Sequence, residues 1–275
     1  MSRDEHDEVE QDDIDAVDGV DEVDGGDDRG RAKRRADAGP TPAYSAQPKR
    51  RMPYIKMCGF VNAREAKVAA KIGADLIGLN FWPGSPRAIH LQLARSIHEA
   101  AKEGGAERGG KRPVRTVAVV VDPDPELVVE ILREVKPDII QFHGNEPVHV
   151  CRFFRHPFIK AFRLRGPGDI SMIKAYSGGH CVGFLLDGAP PGEYGGTGKQ
   201  VTMALASEAL REPRGFLAGG LTPANVGNLV RQLQPYGVDV ASGIEKDGRP
   251  GIKNVDLMAE FIREVRAAVE NPFGL

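Results

Sequence analysis

Cys58 closes the apolar run Tyr54-Ile55-Lys56-Met57-Cys58 and leads into Gly59, and Asp187 closes Val182-Gly183-Phe184-Leu185-Leu186-Asp187 far along the chain. A thiol and a carboxyl at the C-terminal ends of two parallel strands could act as base and acid on one substrate. Active sites of strand–helix barrels gather at those strand ends. A free thiol is roughly a few per cent ionised at neutral pH, so a base role for Cys58 asks for a lowered pKa. Lys56, two residues earlier, points to the same face; it either supplies that positive charge or pairs with a carboxylate inside the fold. Asp187 follows apolar or small residues, a costly place for a charge unless it is hydrogen-bonded or used. Desolvation is expected to raise its pKa and suit it to general-acid work. The bland alternatives are an inert core thiol and a carboxylate capping a loop.

Other candidates lie at further strand ends. His143 follows Gln141-Phe142 and precedes Gly144, placed to contact a substrate or to satisfy a loop carbonyl. Arg87, in Ser85-Pro86-Arg87, falls in the loop after the second strand and could clamp a carboxylate bidentately. Three glycine-bearing segments fall late in the chain: GGTG (195–198), Ala218-Gly219-Gly220 and Ser242-Gly243. Glycine lets backbone N–H groups approach an anion, and the loops after strands 7 and 8 of barrels often hold phosphate. Ser242 adds a hydroxyl. Cys151 and Cys181 read as structural, one in a helix and one early in a strand.

These residues need a scaffold that brings distant strand ends together. From Pro53 onward, short apolar runs alternate with helical patterns. Strands are expected to end near Cys58, Asn80, Val121, His143, Arg163, Asp187, Gly219 and Ser242. Helices are expected near 62–73, 89–103, 124–136, 146–155, 168–177, 200–210, 222–234 and 254–270. Asp124-Pro125 and Thr222-Pro223 read as helix starts. Val117-Ala118-Val119-Val120-Val121 is apolar throughout, as parallel strands covered on both faces are. Eight such units predict the α/β class and a closed (β/α)8 TIM barrel over 53–275. The competing doubly wound sheet is disfavoured because Cys-Gly-Phe-Val-Asn at the first turn lacks the dinucleotide fingerprint. The Gly/Arg/Lys-rich stretch 104–113 is expected to be a loose loop on the bottom face.

Composition sets outer bounds. The chain of 275 residues is 41% hydrophobic, enough for a sizeable core. No long apolar run suggests a membrane span, and the N-terminus lacks an apolar signal core. Three scattered cysteines point to neither a disulfide framework nor a zinc site, and fit a reducing, cytoplasmic setting. Residues 1–52 carry a balance of −6 and 53–275 one of +4. Residues 4–28 are dense in Asp and Glu and poor in large hydrophobics, so 1–52 is expected to be a disordered charged leader. Its basic clusters at 31–35 and 49–51 are read as part of a solvated tail in preference to a polyanion-binding or nuclear-targeting patch. Met52, just before the first strand, is a candidate alternative start.

At this point the chain resembles the phosphoribosylanthranilate isomerase family of tryptophan biosynthesis. The pieces are IKMCG (55–59), GADLIGLNFWPGSPR (73–87), DIIQFHGNE (138–146), IKAFR (159–163), LLDG (185–188), GGTGK (195–199), LAGGLTPANV (217–226) and YGVDVASGIE (236–245). The resemblance implies a cofactor-free, metal-free Amadori rearrangement of N-(5-phosphoribosyl)anthranilate to 1-(2-carboxyphenylamino)-1-deoxyribulose 5-phosphate. It implies Asp187 as general acid on the ribose ring oxygen and Cys58 as the base removing the C2 proton. It further implies Arg87 at the anthranilate carboxylate, Gly219, Gly220, Ser242 and Gly243 at the phosphate, and His143 in the site. Strand 3 continues Val121-Asp122 where the family often has Val-Asn, and the leader is not typical of the family.

The implied partner is a small phosphorylated molecule, with no nucleic acid and no membrane, in a monomer or homodimer. One rival reading is a histidine-pathway phosphosugar isomerase, disfavoured because that resemblance implies an aspartate where Cys58 stands. A second is a non-catalytic barrel that binds phosphate ligands.

Overall fold

The computed structural model describes residues 51–110, 112–164, 166–188 and 203–271. Strands β1 (Tyr54–Cys58), β2 (Leu76–Asn80), β3 (Arg115–Val120) and β4 (Ile139–Phe142) alternate with helices α1 (Ala63–Ile72), α2 (Leu91–Arg108), α3 (Pro125–Glu134) and α4 (Val148–Phe153). The second half repeats the pattern: β5 (Phe158–Phe162), α5 (Gly168–Tyr176), β6 (Cys181–Asp187), α6 (Met203–Ala209), β7 (Gly215–Ala218), α7 (Pro223–Leu233), β8 (Gly237–Val240) and α8 (Val255–Glu270). Every strand is parallel to the next, and β8 pairs with β1, so the sheet closes into the barrel that the alternation predicts. The leader over 1–50 and the GGTG stretch lie outside the described residues.

The strands are apolar on both faces because both are covered. One set of side chains, including Ile77, Ala118, Ile140 and Leu186, packs against the helices. The alternate set, Leu76, Val117, Ile139, Ile159, Leu185 and Phe216, fills the barrel itself. Full burial of each such large side chain stabilises by about 1.5–3 kcal/mol. Within that interior the β1–β8 register sets Lys56 opposite Asp239.

Local signals account for several helix starts. Asp124 accepts from the Glu126 N–H at 3.0 Å with Pro125 at the first helical position, and Asn225 accepts from the Thr222 N–H at 2.8 Å. Four strands end one residue earlier than expected, at Val120, Phe142, Phe162 and Ala218, and β8 ends at Val240. The next residue still feels the ladder: the His143 N–H donates to Val120 O at 2.8 Å.

The stretch 104–113 departs from expectation. Residues 104–108 are the last turn of α2, and Gly104 is buried where a Cβ would strike the Lys67 carbonyl of α1. Close packing of two helices thus offsets the helix-weakening effect of glycine, about 1 kcal/mol. The arginines are structural too. Arg108 donates to Ala74 O at 3.0 Å, Arg112 donates to Met52 O at 2.9 Å, and both face Asp75 at 3.6 and 3.7 Å.

Candidate active site

The C-terminal strand ends surround a cleft of about 760 Å³ whose walls include Cys58, Arg87, His143, Asp187, Gly219, Gly220 and Ser242. The topology therefore gathers those sequence candidates on one face. Gly243 is the middle residue of the short 3-10 turn Ser242–Ile244 that follows β8.

Cys58 is the last residue of β1 and half-buried. Room for its thiol comes from β2, where a Cβ on Gly78 would collide with Cys58 Sγ. Lys56, fully buried beneath it, donates from Nζ to Asp239 Oδ2 at 2.9 Å. Both sequence readings of Lys56 bear on the site, because the same ammonium that pairs with Asp239 also pulls the Cys58 thiol downward by its charge. Burial opposes the charge on Lys56, but Asp239 and Cys58 outweigh it and keep the ammonium above its ordinary pKa. For Cys58 the balance goes the other way. Burial pushes the thiol above its ordinary value, and the pull of Lys56 and Lys253 does not cancel that push. The free site thus holds a thiol, with a cation in place to receive it as thiolate.

Asp187, the last residue of β6, corrects an expectation. Its carboxyl is held below the ordinary value, not above it, because the hydrogen bond from His143 outweighs burial, with Arg163 adding to it. Oδ2 lies 3.0 Å from His143 Nε2 and 3.7 Å from Arg163 Nε. His143 therefore does more than stand beside a substrate. Its other ring nitrogen, Nδ1, lies 2.7 Å from Gln141 Nε2, two residues back on β4.

Arg87 reaches the cleft from the loop after β2, which ties itself into a fixed shape. Asn80 Oδ1 accepts from the Trp82 N–H at 2.9 Å, and Ser85 Oγ accepts from the Arg87 N–H at 3.1 Å. One edge of the guanidinium is already taken, and the end-on edge is left for a carboxylate. Nε and Nη2 donate to the two oxygens of Glu245 at 2.7 and 2.6 Å, leaving the Nη1 edge for another anion. Glu245 also accepts from Lys253 Nζ at 2.9 Å and the Gly251 N–H at 2.8 Å. Burial works against its charge, but the bonds from Arg87 and Lys253 bring the carboxyl down to about 2.

The loops after β7 and β8 take shapes that expose backbone. Gly219 has φ +86°, and a Cβ there would also strike the carbonyl of Gly188. On the opposite wall, Glu146 and Lys160 form a buried pair at 3.2 Å; Glu146 accepts from the Asp122 N–H at 2.8 Å, and Asp122 Oδ1 accepts from the Asn145 N–H at 2.7 Å. The departure at Asp122 thus fastens the loop that follows His143.

Residues that sequence reasoning missed include Asp239, Gln141, Glu245 and Trp82. Asp239 sits in Val238-Asp239-Val240, where the two-residue strand period marks it as interior; Gln141 in Ile139-Ile140-Gln141 carries the same signal. One oxygen of each, Asp239 Oδ1 and Gln141 Oε1, is buried without a hydrogen-bond partner. Glu245 gave no local signal for its tie to Arg87, which comes from 158 residues away. Among the described residues no cluster of His, Cys, Asp and Glu could hold a metal ion.

Such a site, with a thiol over a buried ammonium and a carboxylate bonded to histidine at the strand ends of a closed barrel, defines a (β/α)8-barrel enzyme of the acid–base type. Comparison with known proteins narrows the class. A family model described as N-(5'-phosphoribosyl)anthranilate (PRA) isomerase matches residues 55–264. The N-(5'-phosphoribosyl)anthranilate isomerase of Myxococcus xanthus is 38% identical over 216 residues, covering 78% of this chain and 96% of the relative. The phosphoribosyl anthranilate isomerase structure from Thermotoga maritima superposes with a TM-score of 0.65 at 32% identity, covering 78% of this chain and all of that one. A further isomerase structure, in complex with reduced 1-(o-carboxyphenylamino)-1-deoxyribulose 5-phosphate, matches at 28% identity and TM-score 0.61 over 78% and 100% of the two chains. The chain belongs to the N-(5'-phosphoribosyl)anthranilate isomerase family.

Proposed function

We propose that Cys58 and Asp187 divide between them the isomerisation of N-(5'-phosphoribosyl)anthranilate, this family's reaction in tryptophan biosynthesis. Asp187 protonates the ribose ring oxygen; the C1–O bond breaks with its electron pair going to oxygen, and the anthranilate nitrogen completes a C=N bond. Cys58 then takes the C2 proton, giving an enolamine that tautomerises to the ketone 1-(2-carboxyphenylamino)-1-deoxyribulose 5-phosphate. An aldose-to-ketose shift of this kind needs one acid and one base. The observation that carries the reading is Lys56, buried on β1 two residues before Cys58 and held by Asp239 at 2.9 Å, whose charge favours the thiolate that the base must offer.

The remaining candidates divide the substrate. Arg87 presents its Nη1 edge to the anthranilate carboxylate while Glu245 holds the rest of the fork. Gly219 and Gly220 after β7, with Ser242 and Gly243 after β8, receive the phosphate. The chemistry is assigned to residues 53–275. Three unpaired thiols suit a reducing, cytoplasmic setting.

The test is the decay of phosphoribosylanthranilate fluorescence with purified protein. Cys58→Ser and Asp187→Asn are each expected to lower turnover by at least roughly 10²-fold. Near-wild-type rates in either variant would remove that residue from its role.

A further inference from the structure

Among the described residues, the large apolar side chains left exposed are Trp82, Val129, Phe153, Met172 and Val255. Four of them lie on helices, and Trp82 alone stands in a loop, on the wall of the cleft. That loop is tied down. Asn80, at the end of β2, accepts from the Trp82 N–H at 2.9 Å and donates from Nδ2 to Ser85 Oγ at 3.1 Å. The same Ser85 Oγ accepts from the Arg87 N–H at 3.1 Å, and the Ser85 N–H donates to Trp82 O at 3.0 Å. Trp82 and Arg87 are thus fastened to one another through one asparagine and one serine. The indole rests against Gly84, where a Cβ would stand 2.6 Å from Cζ2 and 2.8 Å from Cε2.

We propose that the Trp82 indole stacks on the aromatic ring of the substrate, and so selects an aryl amine at C1. The inference rests on the reaction proposed above, and the order of strands carries it. In the closed sheet β7, β8, β1 and β2 are successive neighbours. The glycine loops follow β7 and β8, Cys58 ends β1, and the loop of Trp82 and Arg87 follows β2. The substrate has its parts in the same order: phosphate on C5, the labile proton on C2, and the aryl amine on C1. Laid along the strand ends with phosphate at Gly219 and Ser242 and C2 at Cys58, it brings the aryl group to the β2 loop.

There the two halves of the aryl acid find separate partners. Its carboxylate takes the Nη1 edge of Arg87, whose other edge Glu245 holds. Its ring needs a flat apolar surface, and an aromatic pair gains from contact geometry beyond the area it buries. Met172, the other exposed apolar side chain on the cleft, belongs to α5 and follows β5, across the barrel from β1. Because the loop fixes the spacing of Trp82 and Arg87 before substrate arrives, little ordering is left to be done on binding.

Calorimetric binding of the reduced reaction product and of ribose 5-phosphate tests this. Trp82→Ala is expected to weaken binding of the reduced product by roughly tenfold, and Trp82→Phe by less than about threefold. Ribose 5-phosphate has no ring, and both variants are expected to bind it within about twofold of the wild type. A product analogue with phenyl in place of carboxyphenyl separates stacking from an effect exerted through Arg87. Stacking predicts that Trp82→Ala loses as much affinity for this analogue as for the product. A loss confined to the carboxylate-bearing ligand would reduce Trp82 to a prop for Arg87 and overturn the proposal. Equal losses for the aryl ligand and ribose 5-phosphate, or no loss for either, would overturn it as well. In turnover, Trp82→Ala is expected to raise KM more than it lowers kcat, since the ring lies away from the bonds that break. A wild-type protein that binds the reduced product through Trp82 without turning over substrate would count against the proposed function alone. Turnover with aryl binding indifferent to Trp82 would count against this inference alone.

Discussion

Cys58 meets two opposed demands: it must be buried to meet its substrate away from water, and burial raises its pKa. Lys56 reconciles them by placing a fixed charge under the thiol. Removing that charge through Lys56→Met is expected to slow alkylation of Cys58 by iodoacetamide at pH 8 by roughly tenfold or more. Equal alkylation rates in the two proteins would show that the ammonium does not tune the thiol. Arg87→Ala is expected to act mainly on KM, raising it by roughly tenfold to a hundredfold for loss of one charge-assisted hydrogen bond worth about 1.5–3 kcal/mol. An equal rise with a substrate analogue lacking the carboxylate would place Arg87 elsewhere. Residue types and positions made Cys58, Asp187 and Arg87 legible as candidates. The direction of the Asp187 shift was not legible, because it depends on His143, which sequence places 44 residues away and only the closed barrel brings within 3.0 Å.

Among the elements, the segment from Ser242 to Lys253 shows how a loop is held for work. Glu245 bonds Arg87 and Lys253, Lys253 Nζ donates to Ala241 O at 3.0 Å, and the Lys253 N–H donates to Glu65 at 2.9 Å. The carboxyl of Glu245 is lowered from 4.5 to about 2, so the unfolded chain takes up its proton more readily. Its contribution to stability is present above pH 4.5 and is lost as pH falls towards about 2. Glu245→Gln is therefore expected to melt lower than the wild type at pH 7, with the gap narrowing as the pH drops through that window. A gap independent of pH would mean that the side chain acts by shape alone. After β7, Gly219→Ala forces a side chain onto a φ of +86° and into Gly188. It is expected to raise KM for the phosphorylated substrate by roughly tenfold or more, at a cost of about 1–3 kcal/mol in strain. An unchanged KM would remove that loop from the phosphate. Strands and most helices were readable from apolar period and cap residues. The last turn of α2 was not, since Gly104 suits a helix only where α1 lies against it, a contact that local pattern does not encode.

At the scale of the molecule, the barrel begins at Tyr54, and the strands that build the cleft come after it. A protein starting at Met52 is expected to keep the full turnover of the 275-residue chain in the fluorescence assay. A large loss would give the leader a part in the chemistry. The chain's single tryptophan, Trp82, lines the same cleft and is 43% exposed. Its emission is expected to change on addition of the reaction product and to follow one saturable curve. The (β/α)8 class was legible because strand–helix alternation is a repeated local signal, whereas the cross-barrel pairs are single contacts between distant residues.

The same cross-barrel pairs bear on how the protein is made. Lys56 meets Asp239 across 183 residues, Arg87 meets Glu245 across 158, and Lys253 meets Glu65 across 188. A ribosome releases the chain from the N-terminus, and the first two strand–helix units emerge with Lys56 and Arg87 still lacking their acids. A buried ammonium without a counter-charge is strongly disfavoured. The early units thus carry an unpaired β1 edge and unpaired charges until β8 and the segment behind it have been synthesised. The site of Cys58 is then among the last parts to close, and a nascent chain that stalls before Asp239 leaves an unsealed edge on β1 for chaperones or proteases to find.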